Sequence, residues 1–315
     1  MILYLILLIA SLFFLIKSAE YATLYSSKIA KNFRLSEFIV SFFIVAVVSA
    51  APETTIAIIS AFDGVPEFGL GTLLGSNVTD LTLVFGIVAL FSLKGISVKS
   101  RLLRKDFFYL ILLSIPLLLG IDGRFSRVDG IILVISCMFF FFTLANESKM
   151  FKKTFNHNGE HVNLGKSIFL LIISLIVLLI SAYFAVKFGV NFATELNIPP
   201  VLVGLIFAGL GTCLPELIFS IKAVKRSSDG LAMGDILGTV IIDATLIMGI
   251  TCLIQPFNFD RKIIYITGVA MFVACLVVVR FMKTDKLLTK KEGIYLIFLY
   301  IIFLLIELFA NRVIS

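Results

Sequence analysis

The chain has 315 residues, of which 60% are hydrophobic and only 15% are charged, and its mean hydropathy of +1.10 is far above that of soluble domains. This composition places the chain in the membrane class and excludes a large aqueous domain. The net charge of +7 does not indicate a nucleic-acid partner, because the basic residues lie on alternate connecting segments, a pattern typical of membrane topology.

Ten apolar runs follow one another along the chain. A hydrocarbon core of about 30 Å takes about 20 helical residues to cross, and most of the runs reach or approach this length. They are continuously apolar instead of alternating, which predicts helices and excludes barrel strands. The predicted spans cover residues 2–27, 38–62, 68–93, 106–121, 128–145, 166–194, 200–222, 231–255, 263–282 and 293–311.

The connecting segments predict how these spans are oriented. Segments on one face of the membrane carry 20 lysines and arginines, whereas those on the other face carry six. Basic residues concentrate on the cytoplasmic side, so both the N- and the C-terminus are predicted to be external. We therefore expect a multi-pass protein of the cell membrane, surrounded by the lipid bilayer, for which a monomer is an acceptable state.

An internal repeat appears when the sequence is shifted by 163 residues against itself. The shift places residues 39–87, the first motif, on residues 202–250, the second motif, without a gap. The matched residues are glycines, prolines and acids. The pairs include Pro52-Glu53 with Pro215-Glu216, Gly71 with Gly234, Leu74-Gly75 with Leu237-Gly238, Asp80 with Asp243, and Gly86-Ile87 with Gly249-Ile250.

The repeat divides the chain into two halves of five predicted spans each. Because five is odd, the second half enters the membrane from the opposite side, so the two halves are predicted to be inverted. Many secondary transporters use inverted halves to give one midplane site access from either side. The predicted organisation is a first half at 1–145, a cytoplasmic linker at 146–165 and a second half at 166–315.

Glu53 and Glu216 lie in the middle of predicted spans, each directly after a proline. An ionisable group at this depth costs at least about 2.5 kcal/mol, so it normally faces the protein interior and has a function. Each proline lacks a backbone donor and interrupts the helix. Where such a break lines a cavity, the released carbonyls can coordinate a cation.

Asp80 and Asp243 occupy equivalent places in the third and eighth spans. Ser76 and Thr239 precede them by one turn, so each hydroxyl lies on the same helical face as the acid that follows it. The same acid and hydroxyl at the same spacing in both halves are more specific than either occurrence alone. The pattern predicts a polar site shared by the two halves.

Carboxylates that meet at the midplane cannot all stay charged unless cations or protons neutralise them. Two unit charges roughly 4 Å apart repel by about 4 kcal/mol even at an effective dielectric constant of about 20. Carboxylate, hydroxyl and carbonyl oxygens suit sodium and also calcium, which takes about six to eight such ligands. A further acid, Asp235, falls on Thr72 in the repeat and lies either at the edge of this site or at a helix end.

Two segments give the chain a specific resemblance. Gly211-Thr212-Cys213-Leu214-Pro215-Glu216 and Gly75-Ser76-Asn77-Val78-Thr79-Asp80 resemble the alpha repeats of the cation/calcium exchanger superfamily, and of sodium/calcium exchangers in particular. The likeness covers nearly the whole chain. It implies a secondary active transporter, not an enzyme, that needs no cofactor and exchanges Ca²⁺ for a monovalent cation by alternating access at a midplane carboxylate site.

The resemblance also implies which residues bind the transported ions. Ten ligands are implied, and the glutamates of the two Pro-Glu pairs are the central ones for calcium. The carboxylates are those of Glu53, Glu216, Asp80 and Asp243, the hydroxyls those of Ser49, Thr212, Ser76 and Thr239, and the backbone carbonyls those of Ala46 and Gly209.

Three positions depart from the family pattern. Ala50 and Cys213 stand where the family has serines that help to bind outer sodium ions, so the ordinary sodium stoichiometry is not expected to carry over. Asp80 stands where sodium/calcium exchangers typically have asparagine, so this site carries an extra negative charge. Repulsion among the acids favours a bound proton at neutral pH, which makes H⁺ the alternative to Na⁺ as the exchanged cation.

Two other classes of protein could use the same residues. An ion channel would use the acids as a selectivity filter and needs a continuous pore, whereas an exchanger shows saturable flux that depends on a counter-ion. An intramembrane aspartyl protease would build a two-carboxylate catalytic pair from Asp80 and Asp243, or with Asp235 of Gly234-Asp235, but that activity leaves both Pro-Glu pairs unexplained.

Overall fold

The computed structural model describes residues 2–32, 49–92, 95–97, 106–148, 164–226, 229–283 and 287–312. Helices dominate these residues, as the apolar runs predicted. The first part of the chain forms α1 (Ile2–Asn32), α2 (Ala51–Phe62), α3 (Pro66–Phe91), α4 (Asp106–Leu119) and α5 (Arg127–Ser148).

The second part of the chain forms a corresponding series of helices. One long helix comes first, as in the first part, and is followed by two helices that contain the second motif. The series consists of α6 (Leu164–Leu196), α7 (Pro200–Lys225), α8 (residues 229–254), α9 (residues 261–283) and α10 (Lys290–Arg312). Within α7 the regular helix is interrupted at Cys213, where the segment Leu214–Lys225 begins.

The helices have the length and composition of membrane spans. Among the described residues, seven helices are long and apolar enough to cross a membrane, and two shorter apolar helices lie at Ala51–Phe62 and Tyr109–Asp122. The prediction of a helical, multi-pass membrane protein is therefore confirmed. The start of the second predicted span and most of the predicted linker lie outside the described residues.

Four of the described helices contain a π-helical turn, which the sequence pattern did not predict. A π turn accommodates one extra residue in a helix and occurs often at functional sites. The first and third of these turns contain Asp80 and Asp243. The four turns are Asp80–Val84 in α3, Gly204–Ala208 in α7, Ile242–Ile247 in α8 and Ile264–Gly268 in α9.

Both Pro-Glu pairs follow a break in the helix. Ala50 has φ −68° and ψ 2°, and Cys213 has φ −74° and ψ −4°, so the backbone departs from helical geometry at the same place in each half. The proline two residues later has no N–H to donate. Regular bonding resumes when Thr54 donates to the Ala50 carbonyl at 2.9 Å and Leu217 donates to the Cys213 carbonyl at 3.0 Å.

Close helix contacts of one half recur in the other. A Cβ added to Gly86 of α3 would lie 2.7 Å from the carbonyl oxygen of Gly293 in α10, and one added to Gly249 of α8 would lie 2.9 Å from that of Gly130 in α5. The shift of 163 residues converts the first pair into the second. The last helix of each half therefore packs on the third helix of the other half.

Two short antiparallel strand pairs follow the same rule. β1 (Ile96–Ser97) pairs with β4 (Leu287–Leu288), and β2 (Arg124–Phe125) pairs with β3 (Phe257–Asn258). In each pair, one strand comes from the connection after the third helix of one half, and the other comes from the connection before the last helix of the other half. Each strand pair thus connects a segment of the first half with a segment of the second half.

Glycines let α3 pack on α7 backbone to backbone. A Cβ at Gly71 would collide with the carbonyl of Val201, and one at Gly75 would collide with that of Leu205. On the α7 side, a Cβ at Gly209 would lie 2.8 Å from the backbone nitrogen of Ser76. Small residues allow such close approach between membrane helices. The contact brings Gly209 and Ser76, two of the predicted ligands, together.

The central and peripheral helices differ in burial. In the most apolar windows of α3 and α8, 83% of the residues are buried, whereas the corresponding share for α6 is 28%. α1 and α6 pack against each other and expose large apolar side chains such as Phe13, Phe169 and Ile176. Such side chains suit contact with lipid. The first and sixth helices therefore lie at the edge, outside the motif-bearing helices.

Candidate cation-binding site

The two glutamates of the Pro-Glu pairs lie inside the protein. Glu53 is on the first turn of α2, Glu216 is on the first turn after the break in α7, and neither has any exposed surface. Among the described residues, none forms a hydrogen bond with any of their four carboxylate oxygens. A buried polar group without a partner is costly, and a buried charge more so, which suits these oxygens to a positively charged ligand.

Asp80 and Asp243 lie on the π turns of α3 and α8 and are also fully buried. The Ser76 hydroxyl donates a hydrogen bond of 3.3 Å to Oδ2 of Asp243 and so connects the two halves. Within the part of the chain that the structure describes, Oδ1 of Asp243 and both oxygens of Asp80 have no partner. These acids therefore add three more free buried oxygens to those of the glutamates.

Polar side chains of each half face the acids of the other half. The contacts connect the two motifs, so the acids form one region between the halves instead of a separate site in each. In these pairs a hydroxyl or a thiol from one half faces a carboxylate from the other. The pairs are Ser76 with Asp243, Thr212 with Glu53, Cys213 with Asp80, and Ser49 with Asp235.

The buried acids also interact through their charges. Glu53 is within electrostatic range of the carboxylates of Asp80, Glu216, Asp235 and Asp243. Among the described residues, no lysine or arginine forms an ion pair with any of these five acids. Like charges repel strongly where water is excluded, so neutralisation has to come from bound cations or protons.

The predicted neutral ligands have different surroundings. Thr239 is fully buried, and its hydroxyl has no partner among the described residues. The Gly209 carbonyl accepts hydrogen bonds from the Thr212 hydroxyl at 3.2 Å and from the Cys213 thiol at 3.1 Å. A cation that binds this carbonyl therefore competes with those two donors. Ala46, the equivalent predicted ligand of the first half, lies outside the described residues.

The acids surround a region and do not converge on one point. Within the described ranges, no group of three or more His, Cys, Asp or Glu side chains is close enough together to hold one metal ion. A cation in this region would therefore contact one or two carboxylates and complete its shell with hydroxyl and carbonyl oxygens. Calcium and sodium both accept such mixed oxygen ligands.

Two further buried polar residues lie on the motif-bearing helices although the repeat did not single them out. Asp235 has no exposed surface and lies beside the other acids, so of its two open interpretations the structure favours the site over the helix end. Asn77 is equally buried, and its Oδ1 has no partner among the described residues. Their repeat equivalents are Thr72 and Val240, so a search for matched residues passes over both. The sequence signal that could have identified both residues is a polar side chain within an apolar span.

The fold and this region together define a class of protein. Helices suited to cross a membrane surround five buried carboxylates contributed by both halves of the chain. Hydroxyl side chains lie among them, and most of the carboxylate oxygens form no hydrogen bond with the residues that the structure describes. These features define an integral membrane protein with a buried acidic site suited to cations.

Comparison with known proteins identifies the family. The model of the sodium/calcium exchanger protein family matches residues 3–145 and 166–309, so the chain belongs to that family. The match consists of two stretches separated by about the segment that was predicted as the linker. The superfamily resemblance inferred from the two motifs is therefore confirmed, as is the location in the cell membrane.

Individual relatives support the same assignment. The solved structure of the sodium-calcium exchanger NCX_Mj is similar over 96% of this chain and 97% of that chain, with 27% identity and a TM-score of 0.67. The sodium/calcium exchanger MaX1 of Methanosarcina acetivorans is 26% identical over 96% of this chain and 97% of its own length. The inner membrane protein YrbG of Escherichia coli is 26% identical over 81% of each chain.

Proposed function

We propose that this protein exchanges Ca²⁺ for another cation, with sodium as the first candidate and protons as the second. One observation carries the proposal: buried carboxylate oxygens from both halves lie in one region without hydrogen-bond partners among the described residues. Cations neutralise such a region better than any neutral ligand. The names of two relatives, a sodium-calcium exchanger and a sodium/calcium exchanger, support calcium and sodium as the ions.

Ten membrane spans in two inverted halves are the proposed architecture. The recurring glycine contacts and strand pairs support it, because the Gly86–Gly293 contact and the β1–β4 pair each have a counterpart 161 to 163 residues away along the chain. The excess of basic residues on one face supports external N- and C-termini. In this arrangement residues 1–145 and 166–315 are the two halves, and residues 146–165 form a cytoplasmic linker.

The proposed ligands of the transported ions lie on the helices that meet between the halves. Glu53 and Glu216 bind calcium centrally, and Asp80 and Asp243 add charge from the π turns. Hydroxyls and carbonyls complete the oxygen shell that a calcium or sodium ion requires. The neutral ligands in this proposal are Ser49, Thr212, Ser76 and Thr239 through their hydroxyls, and Ala46 and Gly209 through their carbonyls.

Competition for this one region is the proposed basis of coupling. Calcium and the exchanged cation neutralise the same acids, so one has to leave before the other binds. The peripheral pair α1 and α6 moves relative to the buried helices and opens the region to one side of the membrane at a time, as inverted halves allow. Exchange then follows from alternate occupancy and needs no continuous pore.

The experiment that tests this proposal uses purified protein in sealed proteoliposomes. Vesicles are loaded with sodium, with a proton gradient, or with neither, and the entry of radioactive calcium is followed at increasing external calcium concentration. We expect saturable uptake that depends on one of the two gradients. Calcium uptake that ignores both gradients contradicts exchange, and non-saturating flux along the calcium gradient supports a channel instead.

A further inference from the structure

The two halves differ at one buried polar pair beside the central acids. In the second half, Asp235 of α8 lies next to Ser220 of α7. The shift of 163 residues places Thr72 and Ala57 at the equivalent positions of the first half. The Thr72 hydroxyl donates to the carbonyl of Phe68 at 3.0 Å, so the equivalent place in the first half carries no charge.

The surroundings of Asp235 are suited to a cation. The Ser220 hydroxyl lies 3.5 Å from Oδ2 of Asp235, and the Ser49 hydroxyl faces the same carboxylate from the first half. Oδ1 of Asp235 is fully buried and has no hydrogen-bond partner among the described residues. Glu53 acts on this carboxylate through its charge and increases the local negative charge. Among the described residues no basic side chain pairs with Asp235.

The position of Asp235 along α8 separates it from Asp243. It precedes Asp243 on α8 by eight residues, which is roughly 12 Å along a helix. It lies toward the end of the bundle where α7 finishes at Lys225. Asp235 therefore lies on one side of the central region. The equivalent position on the other side has the neutral Thr72.

We infer that Asp235, Ser220 and Ser49 form an additional binding site for a monovalent cation, next to the central region and without an equivalent in the first half. The inference rests on the proposed function, because it adds an ion to the same transport site. One carboxylate with two hydroxyls supplies one negative charge and few oxygens, which suits Na⁺ better than Ca²⁺ with its larger shell. The exchanger thus binds one more monovalent cation than the residues that are matched between its two motifs provide.

The test compares wild-type protein with Asp235→Asn and with Asp235→Thr, which gives the second half the residue of the first. Asp63→Asn, at the exposed turn between α2 and α3, is the matched control for the loss of one carboxylate. Binding of radioactive sodium and of radioactive calcium is measured on purified protein in detergent, and thermal unfolding of each variant is recorded. Sodium activation of calcium uptake is then measured in proteoliposomes.

We expect both Asp235 variants to lose one bound sodium ion per protein and to need about tenfold or more sodium for half-maximal activation, because a charged ligand is lost. Calcium affinity should change by less than about threefold, and Asp63→Asn should match the wild type. Ser220→Ala should raise the sodium requirement by a smaller factor, since it removes a neutral ligand.

Three results overturn the inference. Unchanged sodium binding in both Asp235 variants shows that the residue binds no sodium. A loss of calcium affinity as large as that of Glu53→Gln places Asp235 in the calcium site instead. A lower unfolding temperature with normal sodium binding assigns it a structural role only. Failure of the proposed exchange has a different readout, because calcium uptake by the wild type would then not depend on the sodium or the proton gradient. The comparison of sodium binding in detergent does not depend on that result.

Discussion

The first and second halves agree in backbone geometry more closely than in side-chain chemistry. Both break at the residue two positions before the proline, and both place an aspartate on a π turn. Their side chains differ at Ala50 and Cys213, and at Thr72 and Asp235. Conformation is thus kept where both halves must enclose the same region, while the charge around that region is distributed unequally.

The features that the two halves share are those that the fold requires, and the features in which they differ set the ion chemistry. Prolines and glycines determine where the helices break and how closely they approach, and both halves need these contacts to fit each other. The acids and hydroxyls need not be the same in the two halves. Each of them faces the other half, so one half can supply a charge that the other half lacks. Variants that treat the two halves differently are therefore the most informative.

The largest effect is expected from the acids that the halves share. Glu53→Gln and Glu216→Gln each remove a fully buried carboxylate whose oxygens have no hydrogen-bond partner among the described residues. Calcium uptake in proteoliposomes should fall by about a hundredfold in either variant, because each removes a carboxylate that we propose as a central calcium ligand. Glu20→Gln, on the partly exposed surface of α1, should retain normal uptake. Near-normal uptake by one glutamine variant would show that the halves are unequal even at their centre.

A backbone contact between the halves is expected to have the next largest effect. A methyl group at Gly75 collides with the carbonyl of Leu205, so Gly75→Ala should destabilise the protein by about 1–3 kcal/mol through overpacking. Gly230→Ala is the control, since no atom lies within 4 Å of a Cβ added there. Thermal unfolding in detergent measures both. Equal unfolding temperatures for the two variants would contradict the close packing of α3 on α7.

The two π-turn aspartates should differ from each other by a smaller amount. Asp80→Asn and Asp243→Asn should each weaken calcium binding about tenfold by removing one charge. Asp80→Asn should also raise the unfolding temperature of cation-free protein more than Asp243→Asn does. The reason is that both Asp80 oxygens lack partners among the described residues, whereas Ser76 bonds to Asp243. Calcium titration and unfolding without added cations test this, and the reverse order would contradict it.

The smallest effect is expected from the hydrogen bond that connects the halves. Ser76→Ala removes the 3.3 Å contact with Asp243, which is worth roughly 1 kcal/mol, so calcium affinity should change by a few-fold. Ser114→Ala on α4, whose hydroxyl donates to the Ile111 carbonyl within its own exposed helix turn, should leave affinity unchanged. A loss as large as that of a glutamate variant would make Ser76 a principal ligand.

Much of the architecture could be predicted because its signals are local. Apolar runs predicted helices, since a membrane span requires continuous apolar sequence and satisfied backbone groups. The Pro-Glu pairs predicted the breaks, since proline cannot donate to the helix. The π turns were not predicted, because whether a helix accommodates an extra residue depends on its packing against neighbouring helices.

The candidate site also has residues that could be predicted from the sequence and residues that could not. Glu53 with Glu216 and Asp80 with Asp243 could be predicted because each pair occupies equivalent positions in the repeat. The structure buries all four side chains. Asp235 could not be assigned from sequence, because Thr72 stands at its repeat position and nothing local distinguishes a helix end from a buried site. The hydrogen bonds at the Gly209 carbonyl were also beyond the sequence, since they depend on the side-chain geometry at the break.

The membrane class, the helical spans, the repeat and the paired acids could all be predicted from the sequence, because hydrophobic length and residue type act locally along the chain. The folded structure was needed to show which acids face which hydroxyls, how closely α3 approaches α7, and that Asp235 lies within the acidic region. Those outcomes depend on contacts between residues 130 or more positions apart, such as Ser76 with Asp243 and Cys213 with Ser76. Such contacts form only when the two halves pack together.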